Sequence, residues 1–144
     1  MINKMKVVVP ALSKNEGFCR SLVAAFCVEL SPTIEEVNDI KTAVSEAVTN
    51  AIVHGYEGQN GDIVIEAELY NDSVKISVTD FGQGIENIDE AMQPFFTTKP
   101  EEERSGMGFT VMQTFMNDID VVSEKGKGTT VTMTKYFGRV NART

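Results

Sequence analysis

A chain of 144 residues with 42% hydrophobic side chains is long enough for one domain, 1–144, with a buried core, and no linker divides it. Its 21 acidic against 13 basic residues give a net charge of -8, which repels phosphate backbones and anionic lipid. Lys99, Arg104, Lys125 and Lys127 are scattered rather than massed, so neither nucleic acid nor a membrane is an expected partner.

In chain order, Met5 to Val9 is a short β-branched run stopped by Pro10, read as a first strand at a sheet margin and too short for a signal core or a membrane span. A helix follows, with Ser13 and Glu16 as a capping box and Phe18, Leu22, Phe26 and Leu30 as its apolar stripe. Cys19 and Cys27 lie eight residues apart in it, roughly 12 Å along the axis, too far for a disulfide. With His54 as the only histidine there is no Cys/His zinc cluster, and the chain reads as cytoplasmic. Arg20, a long cation on this helix, is open as a partner contact or as a solvated side chain.

After Ser31-Pro32 a second capping box, Thr33 with Glu36, opens a helix whose core face carries Val37, Ile40, Val44, Val48 and Ile52 before Gly55 ends it. Alternation from Ile63 to Leu69 and from Val74 to Val78 around Asn71-Asp72 predicts a hairpin. The stretch 81–105 has no regular pattern, and a loop of that length in a small domain is usually functional. A helix from Gly108 to about Asn117, strands at Ile119–Ser123 and Thr129–Phe137, and a frayed tail from Gly138 complete the chain. These elements predict an α+β two-layer sandwich: a mixed, mostly antiparallel sheet with helices on one face.

Four islands carry the chemistry. In EAVTNAIVH, the residues Glu46, Asn50 and His54 recur every four positions, which stacks three polar side chains on one helix face. An asparagine carbonyl suits Mg²⁺ whose other ligands are water and phosphate, and a carboxylate one turn away can orient or deprotonate an attacking hydroxyl. Alone, such a row also suits a solvated face. In DFGQG, Asp80 ends a strand, where its carboxylate can accept from an adenine amino group while Gly82 and Gly84 admit a flat ring; an ordinary strand-end turn looks the same. GMGFT places Gly106 and Gly108 before a helix, where backbone N–H groups favour phosphate. GKGTT makes a hairpin turn that offers Thr129 or Thr130 as a hydroxyl near the adenine.

Taken in this order, the islands resemble the nucleotide-binding segments of the GHKL superfamily, which includes gyrase, MutL and histidine kinases, over roughly Thr33 to Tyr136. Pro94 to Lys99 followed by Glu103 to Phe109 is similar to the anti-sigma serine kinases of that superfamily, and total length, first strand and first helix fit as well. The resemblance implies a Bergerat-type fold and Mg·ATP as cofactor with ADP as product. It makes Glu46 the catalytic base, Asn50 the Mg²⁺ ligand and Asp80 the adenine contact assisted by Thr130. His54, Gly82, Gly84, Thr97, Thr98, Lys99, Arg104, Ser105, Gly106, Met107, Gly108 and Phe109 would be further nucleotide contacts, some of them in a lid. The implied partners are a sporulation-type sigma factor that is held, an anti-anti-sigma protein phosphorylated on serine, and a second copy of the chain.

Other readings lack parts. A histidine kinase needs a dimerisation helix with a phosphoacceptor histidine, and His54 sits in the Asn50 helix instead. A eukaryotic-type kinase needs, besides Asp80-Phe81-Gly82, an H-R-D loop that this chain does not have. The standing alternative is a non-catalytic module gated by ATP and ADP that sequesters a partner.

Overall fold

The alternating segments form five strands: β1 (Asn3–Pro10), β2 (Asp62–Leu69), β3 (Ser73–Asp80), β4 (Asp118–Glu124) and β5 (Gly128–Tyr136), in the order β1-β2-β3-β5-β4. They belong to a computed structural model that describes residues 1–92 and 108–138. All four pairings are antiparallel, so the parallel component of a mixed sheet is not found among the described residues. Pro10 is tolerated at the end of β1 because β1 is an edge strand paired only with β2. Register stacks Val7, Ile65, Val78, Val131 and Val121 in one row across the sheet, and Met5, Ala67, Ile76, Met133 and Ile119 in the next. This face is covered by helices, whereas Val8 and Val122, from the alternate positions, are more than half exposed.

The helical layer is α1 (Lys14–Phe26), α2 (Ile34–Asn50), a single turn α3 (Ile88–Ala91) and α4 (Phe109–Phe115), with α2 packed against both α1 and α4. The capping box at Thr33 forms as the sequence indicates: Thr33 Oγ1 accepts from Glu36 N at 3.0 Å and Glu36 Oε1 accepts from Thr33 N at 2.8 Å. The box expected at Ser13 does not form, since Ser13 has helical dihedrals and no side-chain cap bond. Glu16 instead turns to α2, accepting from Ser45 Oγ at 2.8 Å and pairing with Arg20 at 3.3 Å.

The stripe predicted for the first helix is met only in part: Leu30 is buried and Phe26 packs against the core, but the fully buried row lies one residue on. Cys19, Val23 and Cys27 are fully buried whereas Phe18 is 52% exposed. Both cysteines pack as free thiols whose pKa values burial pushes up to about 11 for Cys19 and about 12 for Cys27. On α2 the expected face is buried at Ile40, Val44 and Val48, widened by Ala43 and Ala47. α3, capped by Asn87 accepting from Glu90 N at 2.9 Å, supplies regular structure in a stretch whose sequence shows none.

One buried ion pair fixes α4 to this frame. Lys135 Nζ on β5 donates to Asp39 on α2 at 3.0 Å and to the Phe115 carbonyl at the end of α4 at 2.7 Å. Both charged side chains are less than a fifth exposed, so removing the lysine leaves a carboxylate and a helix-terminal carbonyl without their partner. Lys135→Met is expected to lower stability by about 3 kcal/mol, read as a shifted urea midpoint at unchanged slope.

Candidate nucleotide site

Asn50 ends the α-helical part of α2, and from Ala51 to Gly55 the chain continues as one π turn, closed by Tyr56 N donating to Ala51 O at 3.0 Å. The wider turn begins after Asn50, so of the predicted row it can shift only His54. Asn50 and His54 line a cavity together with Ala47, Ala51 and Gly55, while Glu46, one turn earlier, lies against Gly108 at the start of α4. π turns recur at functional sites because they re-aim side chains without ending a helix.

Asn50 is 8% exposed, and its Nδ2 is buried with no hydrogen-bond partner among the described residues. Rotation about the last torsion exchanges its donor and acceptor ends, so the amide can present either one to a group in the cavity. A buried polar atom left unpaired costs about 1–3 kcal/mol, a penalty that a hydrogen-bond acceptor on a bound ligand would remove. The donor set therefore fits a magnesium nucleotide complex held through one side-chain amide.

Asp80 enters the cavity from β3. Its carboxylate accepts from Gly82 N at 2.9 Å and from the Thr129 backbone, and it is 6% exposed. Burial pushes its pKa above the ordinary value, and the two backbone bonds oppose that rise. The carboxyl sits on Gly55, where a Cβ would come within 2.7 Å of it. Gly82 is not a lining residue: its Cα faces the Gly55 carbonyl so closely that a Cβ would collide with backbone. Gln83 completes this junction, its N–H donating to Gly55 O at 2.8 Å and its Nε2 to His54 O at 2.5 Å. Gly82 thus admits backbone to backbone rather than backbone to ligand, while Gly84 does line the cavity beside Ile85.

The strand parity of β5 corrects one assignment. Thr130 pairs with Thr79, and their hydroxyls meet at 3.0 Å on the face turned away from the helices. Thr129 is the residue opposite Asp80, and it lines the cavity with Val131. Thr129 shares the parity of Val131 and Met133, both core residues, so the alternation of β5 itself carries the signal that separates the two threonines.

Phe109 forms an apolar wall and is 1% exposed. Gly108, the α4 N-cap, has φ +75°, and a Cβ there would strike the Glu46 carboxylate. Glu46 itself is half-buried, and its pKa is raised by desolvation first and by the facing charge of Glu16 second. Thr97, Thr98, Lys99, Arg104, Ser105, Gly106 and Met107 lie outside the described residues.

The description Histidine kinase-like ATPase domain fits residues 9–135. A protein of Thermoanaerobacter sp. strain X514 named Anti-sigma F factor is 59% identical over 136 residues, covering 94% of this chain and 95% of its own. One of the same name from Bacillus thuringiensis strain Al Hakam is 54% identical over 143 residues, covering 99% and 98%. The chain belongs to the anti-sigma F factor family of histidine kinase-like ATPases. The fold of this family extends to more distant structures. The RsbU and RsbW domains of a Mycobacterium tuberculosis protein superpose with a TM-score of 0.68 at 22% identity, covering 93% of this chain and 32% of that one. The catalytic domain of the histidine kinase ThkA gives 0.60 at 18% identity, covering 91% and 98%. Membership in an ATPase fold family implies ATP binding, and no described helix is long and apolar enough to cross a membrane.

Proposed function

We propose that this chain, as a single domain, is an anti-sigma factor that doubles as a protein-serine kinase. It would hold a sporulation-type sigma factor and phosphorylate a serine of an anti-anti-sigma protein, working as a cytoplasmic homodimer with Mg²⁺ and ATP. The observation that carries the reading is the junction of three elements: the Asn50 amide with an unpaired end, the Asp80 carboxylate in the same cavity, and Glu46 one turn from Asn50 with its pKa held up. The near full-length relatives named Anti-sigma F factor supply the partner class.

In this reading the ionised Asp80 accepts from the adenine amino group, with Thr129 rather than Thr130 beside it. Asn50 turns its carbonyl to the metal, and His54 and Gly84 border the nucleotide. Thr97, Thr98, Lys99, Arg104, Ser105, Gly106 and Met107 would close over the phosphates. Mg·ATP bound there supplies an electrophilic γ-phosphoryl group and leaves as ADP. Glu46 orients the serine hydroxyl and takes its proton; a carboxylate whose pKa is raised is the better proton acceptor near neutral pH. Phe109, Val78 and Val131 keep water from the cavity floor.

Incubation with Mg·ATP and a candidate anti-anti-sigma protein, followed by mass spectrometry, tests the reading. A phosphoserine on the partner supports it; a partner that binds and gains no phosphate favours the nucleotide-gated module. Glu46→Ala is expected to leave nucleotide affinity within about threefold and to slow transfer by roughly 100-fold. A fall in nucleotide affinity as large as the fall in rate would remove Glu46 from the role of base.

A further inference from the structure

Tyr56 follows the π turn and joins three segments that meet at Asp80. Its hydroxyl accepts from Phe81 N at 2.8 Å and donates to the Asp62 carbonyl at 2.5 Å. The Tyr70 N–H to Ser73 O bond at the β2–β3 turn fixes which facing pairs exchange hydrogen bonds. Counting down the ladder two residues at a time makes Asp62 and Phe81 the next such pair, directly beyond Ile63 and Asp80. The phenol oxygen therefore stands in the last rung, receiving from one strand and giving to the other. Its ring lies on Gly61, where a Cβ would collide with ring carbons.

Asp80 is the residue immediately before that rung, and Gly55, on which its carboxyl rests, is the residue immediately before Tyr56. One side chain thus ties both the backbone that follows the carboxylate and the backbone that supports it. The phenol is close enough to feel the charge: burial raises its pKa most, and the Asp80 and Asp62 carboxylates raise it further. With the hydroxyl removed, Phe81 N–H and Asp62 C=O are free to pair directly, which draws the end of β3 toward β2 and shifts the carboxylate.

We propose that Tyr56 is a positioning residue for base recognition: by holding the last rung of β2 and β3 open, it sets the Asp80 carboxylate at the height that selects a purine bearing a 6-amino group. The inference rests on the ATP reading of the cavity. It concerns discrimination between bases, so its readout is a ratio of affinities, which a general loss of stability does not move.

Calorimetric titration of the whole chain with Mg·ATP and with the magnesium complex of purine riboside triphosphate, which lacks the amino group, gives that ratio. The wild-type chain is expected to prefer ATP by on the order of tenfold or more, the contribution of one hydrogen bond to a carboxylate. Tyr56→Phe should weaken ATP by about tenfold, leave the analogue within about threefold, and collapse the preference. Gly61→Ala, which displaces the ring while keeping its hydroxyl, should do the same in a chain that retains its far-ultraviolet circular dichroism. Variants that keep the wild-type preference, or that lose both ligands equally, overturn the role of Tyr56 and leave the ATP reading standing. A wild-type chain that binds both ligands equally, or neither, removes the adenine contact itself and the inference with it.

Discussion

Asp80→Asn is expected to lower the affinity for Mg·ATP by about 100-fold. The ionised carboxylate accepts from the Gly82 and Thr129 backbones and, in the proposed complex, from the adenine amino group. An amide has one acceptor end, so its NH₂ must confront a donor whichever way it turns, at the backbone or at the base. Each hydrogen bond to a charged group contributes about 1.5–3 kcal/mol, and two of them are compromised. Calorimetric titration at neutral pH measures the effect. Affinity within threefold of wild type in a folded variant would mean that Asp80 does not read the base.

The same carboxylate makes stability and binding respond oppositely to acid. Burial holds Asp80 above its ordinary 3.8 and Glu46 above its ordinary 4.5. Between those ordinary values and the raised ones, the folded chain binds more protons than the unfolded chain. Stability of the nucleotide-free protein therefore rises as pH falls through the folded-state values, and stops rising once pH is below the unfolded ones. Nucleotide affinity falls over the same interval, because the base contact needs an ionised Asp80. Thermal unfolding from neutral to mildly acidic pH should show a smaller rise in Tm for Asp80→Asn than for wild type. Equal slopes would assign the rise to Glu46 and to the general repulsion of an acidic chain rather than to Asp80.

The second large effect is expected from Gly82→Ala. Its added methyl collides with the Gly55 carbonyl, a backbone atom at the end of the π turn, and neither side can move a flexible side chain aside. The junction must open, at a cost of about 3 kcal/mol, which for a domain of this size lowers Tm by about 10 °C. Nucleotide binding should be lost with it, since Asp80 rests on Gly55. Gly138→Ala, with no heavy atom of the described residues near its added methyl, is the control and should leave both quantities unchanged. A Gly82→Ala chain with wild-type Tm and affinity would show that the contact with Gly55 is not required.

The amino-acid sequence determined the types of the strands and the longer helices, the alternation that buries one face of the sheet, the cap at Thr33 and the four islands that carry the family resemblance. Those signals are local: a capping box, a two-residue period or a glycine turn is complete within a few positions. Tertiary structure alone decided the rest. Glu16 left Ser13 for Ser45, a residue on another helix, and the fully buried row of α1 came to lie one position from Phe18. Packing of α4 on α2 set Glu46 against Gly108, beside the cavity that Asn50 and His54 line rather than in its lining. The alternation of β5 could have placed Thr129 at the cavity, but only pairing with β3 made it the neighbour of Asp80. Tyr56 entered the last rung of β2 and β3 through partners 6 and 25 residues away, a contact that no periodicity records. Side-chain direction has a local period, but its origin is set by partners remote in the chain.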